Sequence, residues 1–502
     1  MLALKNQKPL PCAPQLTTVH RTLIPPSPLA EKTFPAKHRR KSHPPTPRLP
    51  KTKQNTNTST TMAPPNSAFS LQTCARPNIL ALEPYRCARD DYKDDGTNVL
   101  LDANENAYGP GLALDIEGER KRTAVGTAHG GADAPPAIDI DLVGLHRYPD
   151  PHQQDLKQLL CNLRNTNTHT TTPLSPSNLF LGLGSDEAID ALIRAFCTPG
   201  RDKILTCPPT YGMYTVSAHV NDTALVRVPL RLPSFALDVP AITTALSSDP
   251  TIKLAYLCSP GNPTGKLLSK QDVQTLLEHN WNGIIVLDEA YIDFAPDGAS
   301  LAQWVTQWPN LVVLQTLSKA FGLAGIRLGA AFTSPPVAAL LNAMKAPYNI
   351  PNPTSQIART ALSPPHLAIM RANRDRILQQ RDRLLHQIPL IPGIGPLRGG
   401  QDANFLLYPI LEAGSETKAS NEAALAVYEG LAEERGVVVR FRGKEYGCEG
   451  CLRITVGTEA EVDRFLEELA RVVEKVRGGL GGKVRGGDEE EKKEKEASAV
   501  VA

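Results

Sequence analysis

Apolar residues come in short runs rich in β-branched side chains, one every 20–30 residues through the middle of the chain. The runs are Asn178–Leu183, Lys203–Cys207, Ala224–Leu230, Leu254–Cys258, Ile284–Leu287 and Leu311–Leu314. Several are separated by segments that are amphipathic at a helical period. In one of these, Ile189, Leu192, Ile193 and Phe196 repeat at i, i+3, i+4 and i+7, and Gly200 ends the segment. Strands alternating with helices predict an α/β fold on a mostly parallel sheet. The rhythm changes near Pro347. A long charged helix is expected at about Pro365–Gln387, then a glycine-rich turn at Gly393–Gly400. The strands Asn404–Leu407, Val437–Phe441 and Cys451–Val456 follow, and an amphipathic helix closes the pattern at Glu459–Val476. This second pattern predicts a smaller α+β domain.

The flanks break both patterns. Residues 1–65 carry thirteen prolines and the tract Gln54–Thr61, so no core can form there and the segment reads as disordered. It is a targeting segment, an inert tail or an upstream extension with Met62 as the working start. No amphipathic Arg-rich helix marks an import signal, so a cytoplasmic protein is the expectation. Residues 112–140 read as a surface insertion. Beyond Gly478 a glycine linker leads into the mixed charges of Asp488–Glu496, a solvated tail.

Composition adds limits. The 502 residues are 41% apolar and 21% charged, ordinary for a globular protein, and no run of 18 apolar residues offers a membrane-spanning helix. Nine scattered cysteines fit a reducing compartment. Residues 1–61 hold eleven Lys/Arg and one acid, Glu31, a balance of +10 that leaves −8 on the remainder. An acidic folded part argues against nucleic acid.

Four segments at strand ends carry candidate chemistry. Gly182-Leu183-Gly184-Ser185-Asp186-Glu187 joins a strand to a helix, so free N–H groups at a positive helix end offer an anion seat. The final glycine of a dinucleotide fingerprint is missing. Ser259–Gly265 is a rigid turn presenting Asn262, and Ile285–Tyr291 places Asp288 and Tyr291 after a buried strand. Thr316–Gly329 holds Lys319 and Arg327 among small and apolar residues, where burial makes a lysine a nucleophilic amine. Each segment alone is unremarkable: a turn, an Asx-turn, a helix cap, a surface lysine. Together, in this order, they supply what pyridoxal phosphate needs: an amine, a carboxylate for the ring nitrogen and a seat for the phosphate.

On these segments, and on Arg76–Leu80, Asp102–Pro110, Arg147-Tyr148-Pro149-Asp150, Tyr211–Tyr214 and Gly450–Gly457, the chain resembles the fold-type I, aspartate-aminotransferase-like enzymes. Among these class-II aminotransferases it is similar to the histidinol-phosphate aminotransferases, their fungal members above all, from about Arg76 to Val476. The resemblance implies pyridoxal phosphate as cofactor and Lys319 as its Schiff-base lysine and proton shuttle. It implies Asp288 at the ring nitrogen, Asn262 and Tyr291 at the ring oxygen and Tyr211 on the ring face. Gly184, Ser185, Asp186, Ser318 and Arg327 would hold the phosphate, joined by Tyr148 of a neighbouring subunit in a homodimer with shared active sites. Tyr108, Arg440 and Arg453 would bind substrate. The implied reaction passes an amino group between histidinol phosphate and 2-oxoglutarate in histidine biosynthesis. The implied division is an extension (1–70), an arm with part of the small domain (71–145), a large cofactor domain (146–346), a small domain (347–477) and a tail (478–502).

Rival readings share the same cofactor residues: an aromatic aminotransferase, a threonine-phosphate decarboxylase-like enzyme or a non-catalytic cofactor-binding protein. Cys448-Glu449-Gly450-Cys451 stands without a second pair or a nearby histidine, so no metal is expected. Trp304 and Trp308 are expected on one helix face.

Overall fold

The computed structural model describes residues 98–102, 104–108, 143–166 and 172–478, all within a compact unit running from Ser70 to Ala502. The expected extension, the insertion 112–140, the motif Arg76–Leu80 and the tail from 479 onward lie outside the described residues. The first described strand is β1 (Val99–Leu100) and the first described α-helix is α1 (Gln154–Arg164).

The six apolar runs become β2 (Leu179–Gly182), β3 (Lys203–Thr206), β4 (Ala224–Arg227), β5 (Ile252–Cys258), β6 (Ile284–Asp288) and β7 (Leu311–Thr316), and a strand that the apolar pattern does not mark, β8 (Gly329–Thr333), joins them. They form one seven-stranded sheet in the order β2-β8-β7-β6-β5-β3-β4. Between them run α2 (Gly184–Phe196), α3 (Met213–Val220), α4 (Val239–Ser248) and α5 (Lys270–Glu278). Neighbouring positions of a strand feed opposite faces. Leu257 and Leu287 join one core cluster, whereas Tyr256 and Val286 join another with Ile189 and Leu192 of α2. A sheet covered on both faces needs continuous apolar strands, which explains runs without polar alternation.

The expectation of a mostly parallel sheet holds, with β8 as the exception. It lies antiparallel to both β7 and β2. The link from β7 contains only the short 3₁₀ turn Ala324–Ile326 instead of a crossover helix, so the chain folds straight back.

After β8 come α6 (Pro335–Met344), α7 (Asn352–Ala361) and α8 (Pro364–Gln387), the last being the expected long charged helix. Then follow β9 (Phe405–Pro409), α9 (Asn421–Glu429), β10 (Val437–Val438), β11 (Arg440–Phe441), β12 (Cys451–Thr455) and a helix over 459–478. The expected strand Val437–Phe441 is in fact two. β10 pairs with β1, and β11 pairs with β12, which also pairs with β9. One extended segment thus serves two sheets, a choice that local pattern does not reveal. Trp304 falls in a 3₁₀ turn, Ala302–Thr306, and Trp308 lies beyond it, so the expected helix face is not formed. Both rings still pack against the core.

Candidate active site

The carboxyl ends of β5, β6 and β7 lie side by side. Cys258 is in register with Asp288, and Asp288 with Leu314, so the residues that follow converge on one pocket. It is a cavity of about 330 Å³. Gly184, Ser185, Asp186, Tyr211, Asn262, Asp288, Tyr291, Ser318, Lys319, Arg327, Arg440 and Arg453 all line it.

One wall is the amino end of α2. Gly184 has φ +73°, and a Cβ there would stand 2.7 Å from an Arg327 guanidinium nitrogen. The left-handed backbone favours glycine at this turn. Arg327 itself takes a left-handed backbone (φ 52°) and reaches Asp186 at 3.6 Å. Tyr211 donates to Asp186 at 3.1 Å, which fixes its ring. Backbone N–H groups of a thirteen-residue helix beside a guanidinium make a phosphate-sized anion seat.

The floor is Asp288, 2% exposed. Burial pushes its carboxyl up to about 6, opposed by the Tyr214 hydroxyl (2.7 Å) and the Ala290 N–H (3.1 Å), which both donate to it. Tyr214 was not foreseen as a site residue. It lies one helical turn beyond Tyr211, and that spacing is the signal that could have pointed to it. Lys319 enters the same pocket from the loop after β7, its amine 5.8 Å from the Tyr291 ring centre. Burial first, and then the Arg453 charge, bring its pKa down to about 8. About a tenth of the amine is then neutral and nucleophilic at pH 7, far more than for an ordinary lysine.

The third wall is β11 and β12. Arg440 and Arg453 are direct antiparallel partners, so both side chains share one face. Arg453 is 4% exposed and gives one nitrogen to Asn262 Oδ1 (2.7 Å) and another to the Asp102 carbonyl. Its Nε has no partner among the described residues. Burial, followed by the charge of Arg442, brings it down to about 9. Arg442, also unforeseen, lines the same mouth and is held by Glu445 at 2.8 Å. Three guanidiniums around one mouth, one of them paired with Glu445, favour an anionic ligand.

Two expected residues stand outside this lining. Tyr108 is half-buried beneath Arg376, whose guanidinium lies 3.9 Å above its ring centre. Tyr148 is 81% exposed and stacks on Tyr348 with ring centres 4.6 Å apart. Cys448 and Cys451 are buried thiols; burial pushes Cys451 up to about 12 and Cys448 higher still.

A flat aromatic ring carrying an anion would meet donors at its arm, a carboxylate at one edge and an amine at another. Comparison with known proteins gives the same class. The family model "Aminotransferase class I and II" matches residues 134–469. The chain is 50% identical over 407 residues to the histidinol-phosphate aminotransferase of Schizosaccharomyces pombe, covering 81% of this chain and 98% of that protein. It is 44% identical over 417 residues to that of Saccharomyces cerevisiae, covering 81% and 99%. Among solved structures, the histidinol-phosphate aminotransferase of Sinorhizobium meliloti with pyridoxal-5'-phosphate matches with a TM-score of 0.65 and 22% identity. That match covers 82% of this chain and 99% of the other, and it speaks to the fold.

Proposed function

The chain belongs to the class I and II aminotransferases, in their histidinol-phosphate aminotransferase branch, and on that premise we propose a role for each residue of the pocket. The protein is a pyridoxal-phosphate-dependent enzyme that passes an amino group between L-histidinol phosphate and 2-oxoglutarate, a step of histidine biosynthesis. The observation that carries this reading is one pocket that holds the amine of the half-buried Lys319, the buried carboxylate of Asp288 and the amino end of α2.

The pocket suits the cofactor on its own chemistry. Gly184 turns the chain with a left-handed backbone beside the Arg327 guanidinium, and the donors there match a phosphate. Gly184, Ser185, Asp186, Ser318 and Arg327 would hold that group, Tyr211 the ring face, Asp288 the ring nitrogen, and Asn262 with Tyr291 the ring oxygen. Pyridoxal phosphate, when bound, supplies the electron sink that transamination requires. Lys319 does the proton work: an amine near 8 takes a proton from the substrate carbon and returns one without a large energetic mismatch. Asp288, kept largely ionised at neutral pH by Tyr214 and Ala290, provides the negative charge that stabilises a positive ring edge. Arg453 exchanges its hold on Asn262 and Asp102 for a substrate anion. A guanidinium fork takes a phosphate or a carboxylate bidentately, as the two halves of the reaction demand. Arg440 serves the phosphate; Tyr108, which lies outside the lining beneath Arg376, is given no part in this scheme.

We further propose a cytoplasmic homodimer. Tyr148, exposed and held by Tyr348, is available to a second copy. Mixing Lys319→Ala with Tyr148→Ala subunits should then restore some activity, because one hybrid site carries both native residues. No recovery in verified heterodimers would refute the shared site. Among the described residues no helix is long and apolar enough to cross a membrane. We read the chain as a large domain (146–346) around the seven-stranded sheet and a small domain (347–477) around the three-stranded one.

Substrate choice is tested by single half-reactions. The cofactor-loaded enzyme is mixed separately with histidinol phosphate, phenylalanine, tyrosine or threonine phosphate, and the cofactor absorbance is followed. Histidinol phosphate should react fastest and cleanly. Preference for an aromatic amino acid, or release of carbon dioxide from threonine phosphate, would overturn the assignment.

A further inference from the structure

Asn104 sits on a left-handed backbone (φ 56°), which persists in a residue with a Cβ only where neighbours hold it. All its polar groups are engaged. Its N–H donates to Thr455 Oγ1 at 3.0 Å, and its carbonyl accepts from Asn404 Nδ2 at 3.0 Å. Its side-chain Oδ1 accepts the Thr455 hydroxyl at 3.0 Å, and its Nδ2 donates to Tyr291 Oη at 2.9 Å. Asn104, Tyr291, Asn404 and Thr455 are all buried.

The Thr455 hydroxyl decides which way the amide points. It has one proton and already accepts the Asn104 N–H, so that proton goes to Oδ1 and leaves Nδ2 facing Tyr291. With the amide reversed, the Thr455 proton would lose this acceptor inside the protein, a costly arrangement. Tyr291 therefore accepts from Asn104, and its own proton is left for the pocket. Thr455 and Arg453 are two apart on β12, hence on one face, and Arg453 likewise occupies Asn262 Oδ1.

We propose that Asn104, fixed by Thr455, is a positioning residue that sets the hydrogen-bond polarity of Tyr291, making this tyrosine a donor to an oxyanion in the pocket. The inference rests on the reading of the pocket as a pyridoxal-phosphate site, whose ring oxygen is that oxyanion. One face of β12 then orients both side chains assigned to it. The charged and titratable groups around Tyr291 are Arg453 of β12, Asp288 of β6, Lys319 after β7, Cys258 of β5 and Tyr211 before α3. Burial pushes the Tyr291 hydroxyl up to about 12, against the pull of Arg453 and the Asn104 bond, so it stays protonated and able to donate near neutrality.

The test is a spectroscopic pH titration of the cofactor-loaded protein, comparing wild type, Asn104→Asp, Tyr291→Phe and the double variant. A carboxylate at position 104 only accepts, so it draws the Tyr291 proton away from the pocket. Loss of a donor disfavours the deprotonated ring oxygen, so the midpoint of the visible absorbance should rise by about one pH unit in either single variant. The double variant should match Tyr291→Phe alone, because Asn104 acts through that hydroxyl. No shift in Asn104→Asp, or a shift that persists undiminished without the Tyr291 hydroxyl, overturns the proposal. A wild-type protein that binds no pyridoxal phosphate overturns the cofactor reading instead, and the inference with it. Should Asn104→Asp fail to fold, Thr455→Val releases the amide to turn. A smaller rise in the same direction supports the proposal, and an unmoved midpoint sinks it.

Discussion

Asp288 and Glu289 are adjacent carboxylates at the end of β6, both almost fully buried, yet their surroundings differ in kind. Glu289 is enclosed by donors from the fold: Ser300 Oγ at 2.6 Å, the Leu301 N–H at 2.7 Å and Gln315 Nε2 at 2.8 Å. Gln315 in turn accepts from Arg164, which forks onto Asp293 at 2.8 and 3.0 Å. Asp288 has two donors, Tyr214 and Ala290, and then opens onto the pocket that holds Lys319. Burial alone therefore does not distinguish a site residue from a brace. The distinction is whether the fold closes around the carboxylate with its own donors or leaves one side of it open to a ligand.

The widest separation of the two regions is expected from Lys319→Ala. Turnover should fall by several orders of magnitude while folding and noncovalent cofactor binding persist. A variant that remained active and yellow would remove the site from Lys319 altogether. Next comes Glu289→Ala, which leaves Gln315, Ser300 and the Leu301 N–H without their acceptor. It should cost on the order of 3 kcal/mol in urea unfolding, far more than it changes the half-reaction rate per folded molecule. Equal losses in stability and chemistry would erase the contrast between the neighbours.

Asp288→Asn reverses that pattern. The native-state carboxyl is raised to about 6 from an unfolded value near 4. A raised carboxyl stabilises the fold below the unfolded pKa, and this contribution is lost as pH climbs through the folded one. The cofactor-free Asp288→Asn protein should therefore outlast wild type in melts at pH 7–8. That advantage should fade between about pH 6 and pH 4, although turnover falls. An advantage independent of pH would rule out the carboxylate as its source. The smallest and most selective effect belongs to Arg440→Ala: a loss of roughly 2 kcal/mol or more of transition-state binding with histidinol phosphate, and much less with glutamate. Pre-steady-state rates for the two substrates decide it, and equal losses would return Arg440 to a general structural role.

The sequence by itself determined the α/β pattern and the strand ends where chemistry gathers, and it singled out the amine, the carboxylate and the glycine-rich helix start that line one pocket. These are local properties: apolar runs of strand length, and glycines, an Asp and a Lys in segments that should bury them. Tertiary structure alone decided the rest. Val437–Phe441 divides between two sheets because its partners, β1 and β12, come from distant parts of the chain. Arg440 becomes the partner of Arg453 through strand register, and Arg442 joins them at the same mouth. Tyr214 acquires Asp288, 74 residues away, and Asn104 acquires Thr455, 351 residues away. Hydrogen bonds between side chains so far apart depend on angles and distances within a few tenths of an ångström. No local pattern encodes those values; they exist only once both sheets have packed.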